Sequence, residues 1–301
     1  MSARRGPAEA LARAMRLRRA VPLALCSLAL CLLLASDASS AAGLPPGGLP
    51  WALPLAWALT AAGVLSRLAA GLVAIGWVPK RVCSLLVDDL DPRRCLDAVE
   101  GCLPLLGLER KRLGPDGVSL AFSAGVSLAL LGEDGGARAW LSWLSARADE
   151  PKQALWRAEA RANAVGIASQ VGDDSARSEQ LAALRGVLDG PRPPKGGAAR
   201  QLRAFLEGSE RAAALEAAGD WDGLAAFRDA QRDESASRFA RVHNERRKAL
   251  ALEAAGRPAE ALPSWRYVAA NAGSLPWADE ARAALARGGA RAVGERGPEC
   301  G

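Results

Sequence analysis

Two long apolar segments open the chain, and helix-periodic apolar positions fill the remainder. Ala20–Ala35 (AVPLALCSLALCLLLA) runs for 16 residues without a charge, about 24 Å of helix at roughly 1.5 Å per residue. Leu49–Val78 carries one charge, Arg67, over 30 residues, more than a hydrocarbon core of about 30 Å requires. The pattern predicts a transmembrane helical hairpin over 20–78, with Trp51, Trp57 and Trp77 suited to the interfaces.

Arginines set the expected orientation. Arg4, Arg5, Arg13, Arg16, Arg18 and Arg19 precede the first segment, Lys80, Arg81, Arg93 and Arg94 follow the second, and 37–48 holds no basic residue. Positive charge stays on the cytoplasmic side, so both ends are expected inside and the Ser/Gly/Pro loop outside. A cleaved signal peptide is a second reading of the first segment, because small residues at 38–42 imitate a cleavage site. Arg67 admits two placements: at the headgroups if the span is Leu49–Leu65, or buried and functional if it is Leu55–Val78.

Beyond residue 79 the periodicity is helical throughout. Asp91-Pro92 supplies an N-cap and a first-turn proline. After a turn-rich stretch at 107–117, helices are expected over 118–131, 137–148, 151–171, from Asp174 or Ser175 to 188, 201–218, 221–232, from 242 onward, and 277–286. The stretch 189–198 (DGPRPPKGGA) contains three prolines and three glycines and cannot be helix. It reads either as a linker between two halves or as a loop within one domain. The expected organisation is a basic leader at 1–19, the hairpin at 20–78, an upstream helical half at 79–188, the linker at 189–198, downstream repeats at 199–288 and a disordered tail at 289–301.

Two helix pairs share a phase. With Val118 as position one of a 34-residue unit, Gly125 stands at eight, Leu128 at eleven, Ala137 at twenty and Leu141 at twenty-four. With Val242 as position one, Ala249, Leu252, Ala261 and Trp265 fall at the same places. Small residues there let antiparallel helices approach closely. This spacing, with ALALEAAGRPAEALPSWRYVAANAGSLPWADEARAAL, resembles the tetratricopeptide-repeat (TPR)-like bacterial membrane proteins, in which two membrane helices precede an Asp-Pro-initiated helix and a short array. The large aromatics usual at some positions are replaced by Ala121 and Leu128. The resemblance implies an all-α chain, a TPR-like α-solenoid of antiparallel helix pairs behind the hairpin, and a concave groove that binds a protein or peptide. Positions two, five and six of a first helix, here His243, Arg246 and Arg247, would face that groove.

Charge narrows the partners. The chain carries 39 basic and 33 acidic residues, but the first 78 hold seven arginines against two acids, so the remainder is near neutral. No nucleic-acid partner is expected. Cys83, Cys95, Cys102 and Cys300 show no metal-ligand spacing, and a reducing cytoplasm favours buried structural thiols.

Candidate chemistry is sparse. His243, the single histidine, has no acid, nucleophile or metal motif beside it. The GEDGG turn at 132–136 lacks the Lys-Ser/Thr ending of a phosphate loop. Asp88-Asp89 and Asp173-Asp174 suit helix N-termini, and Trp140, Trp143, Trp156, Trp221, Trp265 and Trp277 suit packing between helices. No catalytic, cofactor or metal site is expected. The expectation is a multi-pass protein of the cell membrane whose partners are the lipid bilayer and an unidentified protein or peptide, acting as a cytoplasmic scaffold and not as an enzyme. The alternative is a membrane-embedded enzyme, or accessory subunit, with a functional Arg67.

Overall fold

A computed structural model describes residues 6–41, 52–72, 77–106 and 113–294. They form helices and connecting turns, with no strand among the described residues. The all-α expectation stands. The chain falls into two units, residues 1–81 with 100–109, and residues 82–99 with 110–301.

The first unit is built on α1 (Pro7–Ala41) and α2 (Ala52–Leu72), which pack against each other. α1 is one helix of 35 residues, so the arginine leader expected as a separate segment is its first turns, and helix continues through Asp37 to Ala41 where a loop was expected. Ala29 and Ala56 are buried. Gly63 meets the other helix so closely that an added Cβ would stand 3.6 Å from Pro22 Cα and Leu25 Cβ. Leu11 is buried, but most of the large apolar side chains described point away: Leu23, Leu28, Leu30, Leu34, Trp57, Leu65 and Leu68 are all exposed. Thr60 and Ser66 donate their hydroxyl protons to the Ala56 and Gly63 carbonyls, each at 2.8 Å. The two helices expected of a hairpin are present and packed together. Among the described residues, however, no helix is long and apolar enough to cross a membrane. α1 carries arginines in its first half and α2 carries Arg67 in its last turns.

The second unit takes in most of α3 (Val78–Val87), the first half of α4 (Pro92–Leu106), and α5 (Pro115–Leu130), α6 (Asp134–Arg147), α7 (Ala154–Val171), α8 (Asp174–Leu188), α9 (Gly197–Ala218), α10 (Trp221–Glu234), α11 (Arg238–Ala254), α12 (Pro258–Asn271) and α13 (Trp277–Gly294). α3 was not expected from the sequence, where only Val78 belongs to the apolar stretch and Lys80 and Arg81 read as its basic flank. α13 extends to Gly294, past the point where a disordered tail was expected at 289; Cys300 and the remainder of that tail lie outside the described residues. So do Arg4, Arg5, Trp51 and most of the loop at 37–48.

From α5 onward each helix packs on the next wherever one hairpin turn joins them, and α7 also touches α5 and α9. Caps explain the boundaries. Asp173, Asp220 and Ser237 side chains accept from the backbone N–H groups of Ala176, Gly223 and Ala240 at the starts of α8, α10 and α11. Gly172 and Gly219 end α7 and α9 in the left-handed conformation that a side chain disfavours.

The Pro/Gly-rich stretch is a loop only as far as Gly196, since Gly197 and Ala198, expected to be outside any helix, open α9, and the core runs across it. Leu206 of α9 shares one apolar cluster with Leu181, Leu184 and Leu188 of α8 and with Ala158 and Val165 of α7. Arg203 reinforces the crossing by donating to Asp189 Oδ1 at 2.8 Å and to the Leu188 carbonyl at 2.5 Å.

The eight residues placed by phase at packing positions are all buried: Gly125, Leu128, Ala137, Leu141, Ala249, Leu252, Ala261 and Trp265. At Gly125 the reason is steric, since a Cβ there would lie 2.7 Å from Ile167 Cδ1. Trp265 is buried entire, and its indole N–H donates to Glu253 Oε1 at 2.8 Å.

Candidate functional site: a groove with an apolar and a basic end

Within the second unit the helices enclose an open groove of about 1290 Å³. That exceeds the roughly 300–1,000 Å³ usual for small-molecule pockets. One end is apolar, lined by Phe122, Val126, Leu130, Val165, Leu202 and Phe205. The lining is close-set. Gly166 of α7 accepts Phe122 of α5 so tightly that an added Cβ would meet the ring at 2.8 Å. Phe205 remains exposed.

The other end is basic. His243, Arg246 and Arg247 lie three and four residues apart, on one face of α11, and all three line the groove. Arg246 is paired with Glu280 of α13, Nε to Oε2 at 2.5 Å and Nη2 to Oε1 at 3.0 Å, and its guanidinium sits 5.5 Å from the Trp277 ring centre. Arg247 donates to Glu216 of α9. Arg177 of α8 is 3.1 Å from Asp174 and 3.9 Å from Glu216. Arg228 of α10 differs. It donates from Nη1 to the Gln231 side-chain oxygen at 2.9 Å, has no carboxylate partner among the described residues, and its Nε is enclosed without a hydrogen bond. Burial first, then the neighbouring Arg247, pulls its pKa down to about 10. It therefore stays charged at neutral pH.

His243 is half-buried against two rings that also touch each other, 6.3 Å from Phe239 and 5.6 Å from Trp277. Its Nδ1 is enclosed and unpartnered. Burial, then Arg228, Arg247 and Arg246, pushes its pKa down to about 3, so the ring is neutral at pH 7. A neutral imidazole flanked by guanidinium groups is poorly placed to take up a proton as a general base. It can offer one N–H.

Arg228 and Phe205 were not singled out from sequence. Nothing in an arginine-rich chain distinguishes Arg228 from its exposed neighbours, because its lack of a paired carboxylate is a property of four helices together. Arg67 lies exposed on α2. Cys95 and Cys102 are buried and Cys83 is half-buried; burial raises all three thiols, Cys95 and Cys102 to about 11, so they are inert near neutrality. Among the described residues no group of three or more His, Cys, Asp or Glu side chains could hold a metal ion.

No protein-family model matches the chain, and neither a curated protein nor a solved structure matches it. Packed helix pairs are therefore what the structure establishes, and the tetratricopeptide likeness rests on spacing alone.

Proposed function

We propose that this chain is a membrane-anchored, TPR-like scaffold that presents a peptide-binding groove on the cytoplasmic side. The observation that carries the reading is the groove: open, larger than a small-molecule pocket, greasy at one end and cationic at the other. Such a surface suits a segment of polypeptide. The arginine distribution supports the cytoplasmic placement.

The α1–α2 pair supports the anchor. A hairpin in water would turn its leucines inward; this one, Leu11 apart, buries Ala29, Ala56 and Gly63 and turns leucines out over 23–34 and 55–68. Small residues at the contact and large apolar ones outside are what helices use when lipid is the solvent. Neither helix is a complete span alone, so the two are immersed as a pair, with the arginines of α1 and Arg67 reaching the headgroups.

A photo-crosslinking amino acid at Phe205, in the full chain in its native membrane, tests the groove. Crosslinks to another polypeptide from Phe205, and none from the exposed Ala182 on α8, are expected. Equal yields from both positions, or none from either, would remove the binding reading. Labelling of Cys300 in intact cells by a reagent that does not enter them would reverse the orientation.

A further inference from the structure

We propose that Arg228 is the anion-recognition point of the groove, and that the segment bound there is an amphipathic peptide whose apolar residues meet Phe122 and Phe205 and whose aspartate or glutamate meets Arg228. The inference rests on the reading of the groove as a peptide site and names the chemistry it selects.

The argument starts from charge. Four arginines converge on the basic end, Arg177, Arg228, Arg246 and Arg247. Three carboxylates answer them: Asp174 with Arg177, Glu216 with Arg247 and Arg177, and Glu280 with Arg246. One guanidinium is left over, and it is Arg228, the one whose Nε is shut away unpaired. Glu216, already held by Arg247, acts on Arg228 only through space, and a half-buried cation without a paired carboxylate of its own is destabilising unless something arrives to pair with it. Structural pressure alone would replace it with a neutral residue, since it holds no other charged group in place. Its one side-chain hydrogen bond among the described residues goes to Gln231, a neutral acceptor that also lines the groove, and its guanidinium lies 5.7 Å from the Phe227 ring centre.

His243 adds a second unmet donor or acceptor on the facing helix. Like the Arg228 Nε it is shut away, so it reaches a carboxylate in the groove only if the ring turns. Glu159 and Glu234 also line the groove but neither is paired with Arg228. The incoming carboxylate meets the outer Nη edge of Arg228 and draws the guanidinium from Gln231 into the groove, which frees Nε to pair as well. Arginine presents five donors in a fork that matches a carboxylate in two-point contact.

The test uses random dodecapeptides displayed on phage, selected against the full chain in detergent micelles. Selected peptides are expected to combine apolar residues with Asp or Glu. Arg228→Gln should weaken the best of them about tenfold or more, the loss of a charge-assisted pair, while Arg200→Gln on the exposed face of α9 leaves binding within about twofold. Arg228→Lys should recover part of the loss. Thermal unfolding of Arg228→Gln should occur no lower than in the wild type, which separates recognition from misfolding. Neutral peptides that nevertheless crosslink to Phe205 would overturn the role of Arg228 and leave the peptide groove standing. Acidic peptides insensitive to Arg228→Gln would do the same. Failure to enrich any peptide would take down both.

Discussion

The Ser274 hydroxyl donates to the Leu90 carbonyl oxygen at 2.7 Å, joining residues 184 positions apart in the chain. Leu90 is fully buried and has φ of +56°, a left-handed conformation rare for a branched residue. Gly273, at φ +61°, packs beside it so closely that an added Cβ would lie 3.2 Å from Leu90 Cβ. In an open repeat array the first and last elements do not meet. Here the turn before α4 is tied to the turn before α13, and the helical unit carries a long-range closure in addition to its neighbour contacts.

Gly273→Ala should therefore cost more than a surface change. A side chain in the left-handed region costs roughly 1–2 kcal/mol, and the new methyl also presses on Leu90. Ser274→Ala should cost about 0.5–1.5 kcal/mol through the lost hydrogen bond. Urea titration of the full chain in detergent, followed by circular dichroism, checks both. Wild-type midpoints in both variants would mean that the closure contributes nothing to stability.

The α5–α7 contact is set by glycines. Gly125 faces Ile167 and Gly166 faces Phe122, each with no room for a Cβ. Gly125→Ala removes a poor helix former yet overfills the contact, at about 1–3 kcal/mol. The expected sign is destabilising, because the obstruction includes Ile167 Cγ1 and Cγ2 close to the backbone and not only the end of a flexible side chain. Gly135→Ala, in open space at the start of α6, should be neutral or slightly stabilising. Comparing the two melting temperatures decides whether close approach or helix propensity governs.

Trp265 permits a separation of packing from hydrogen bonding. Trp265→Ala empties a fully buried site and should cost about 3–5 kcal/mol. Trp265→Phe keeps most of the apolar volume but leaves Glu253 without its donor, so a smaller loss is expected. Equal losses in a denaturant titration would show that the indole N–H carries most of the effect.

The small and large packing positions were legible in the sequence because they repeat with one period: Gly125 and Ala249, Leu128 and Leu252, and Leu141 and Trp265 occupy matching places. Caps were legible in part: the start of α8 was expected at Asp174 or Ser175, beside the capping Asp173, whereas Ser237 was missed because helix was expected only from 242. What could not be read was any relation between distant segments. Ile167 as the partner of Gly125, Glu280 as the partner of Arg246, and Leu90 against Ser274 each depend on how helices stack. The same holds for the groove: His243, Arg246 and Arg247 could be placed on one face by spacing, whereas the missing counter-charge at Arg228 depends on α8, α9, α10 and α11 at once.

His243 makes a pH prediction with a definite sign. The unfolded ring titrates near 6.5, whereas the folded ring stays neutral down to about 3. Facing it are Arg246 and Arg247 from its own helix and Arg228 from α10, with Glu216 of α9 and Glu280 of α13 held on two of those arginines. Below pH 6.5 the unfolded chain binds a proton that the folded chain refuses, so stability falls as pH drops from about 6.5 toward 3. Above 6.5 this group contributes no slope. His243→Phe, which suits the neighbouring Phe239 and Trp277 rings, should flatten the dependence between pH 6.5 and 4.5 when urea midpoints are compared. A slope identical to wild type would assign the loss to other groups.

The hairpin gives the sharpest contrast between lipid and water. Leu65 and Leu68 are exposed on α2. If that face meets hydrocarbon, converting both to Asp should cost up to about 2.5–3.5 kcal/mol per residue and shift the chain from the membrane pellet to the supernatant after an alkaline wash. If the face meets water, the same pair of changes would leave the distribution as it was and improve solubility. Ala29→Leu acts at the buried contact with α2 and should loosen the pair while keeping its hydrophobicity, so that protease sensitivity between the helices rises and the chain stays in the pellet. Release by the Asp pair, with retention of Ala29→Leu, is the combination expected of a lipid-facing anchor. Retention of both would assign the outward leucines to a protein partner instead.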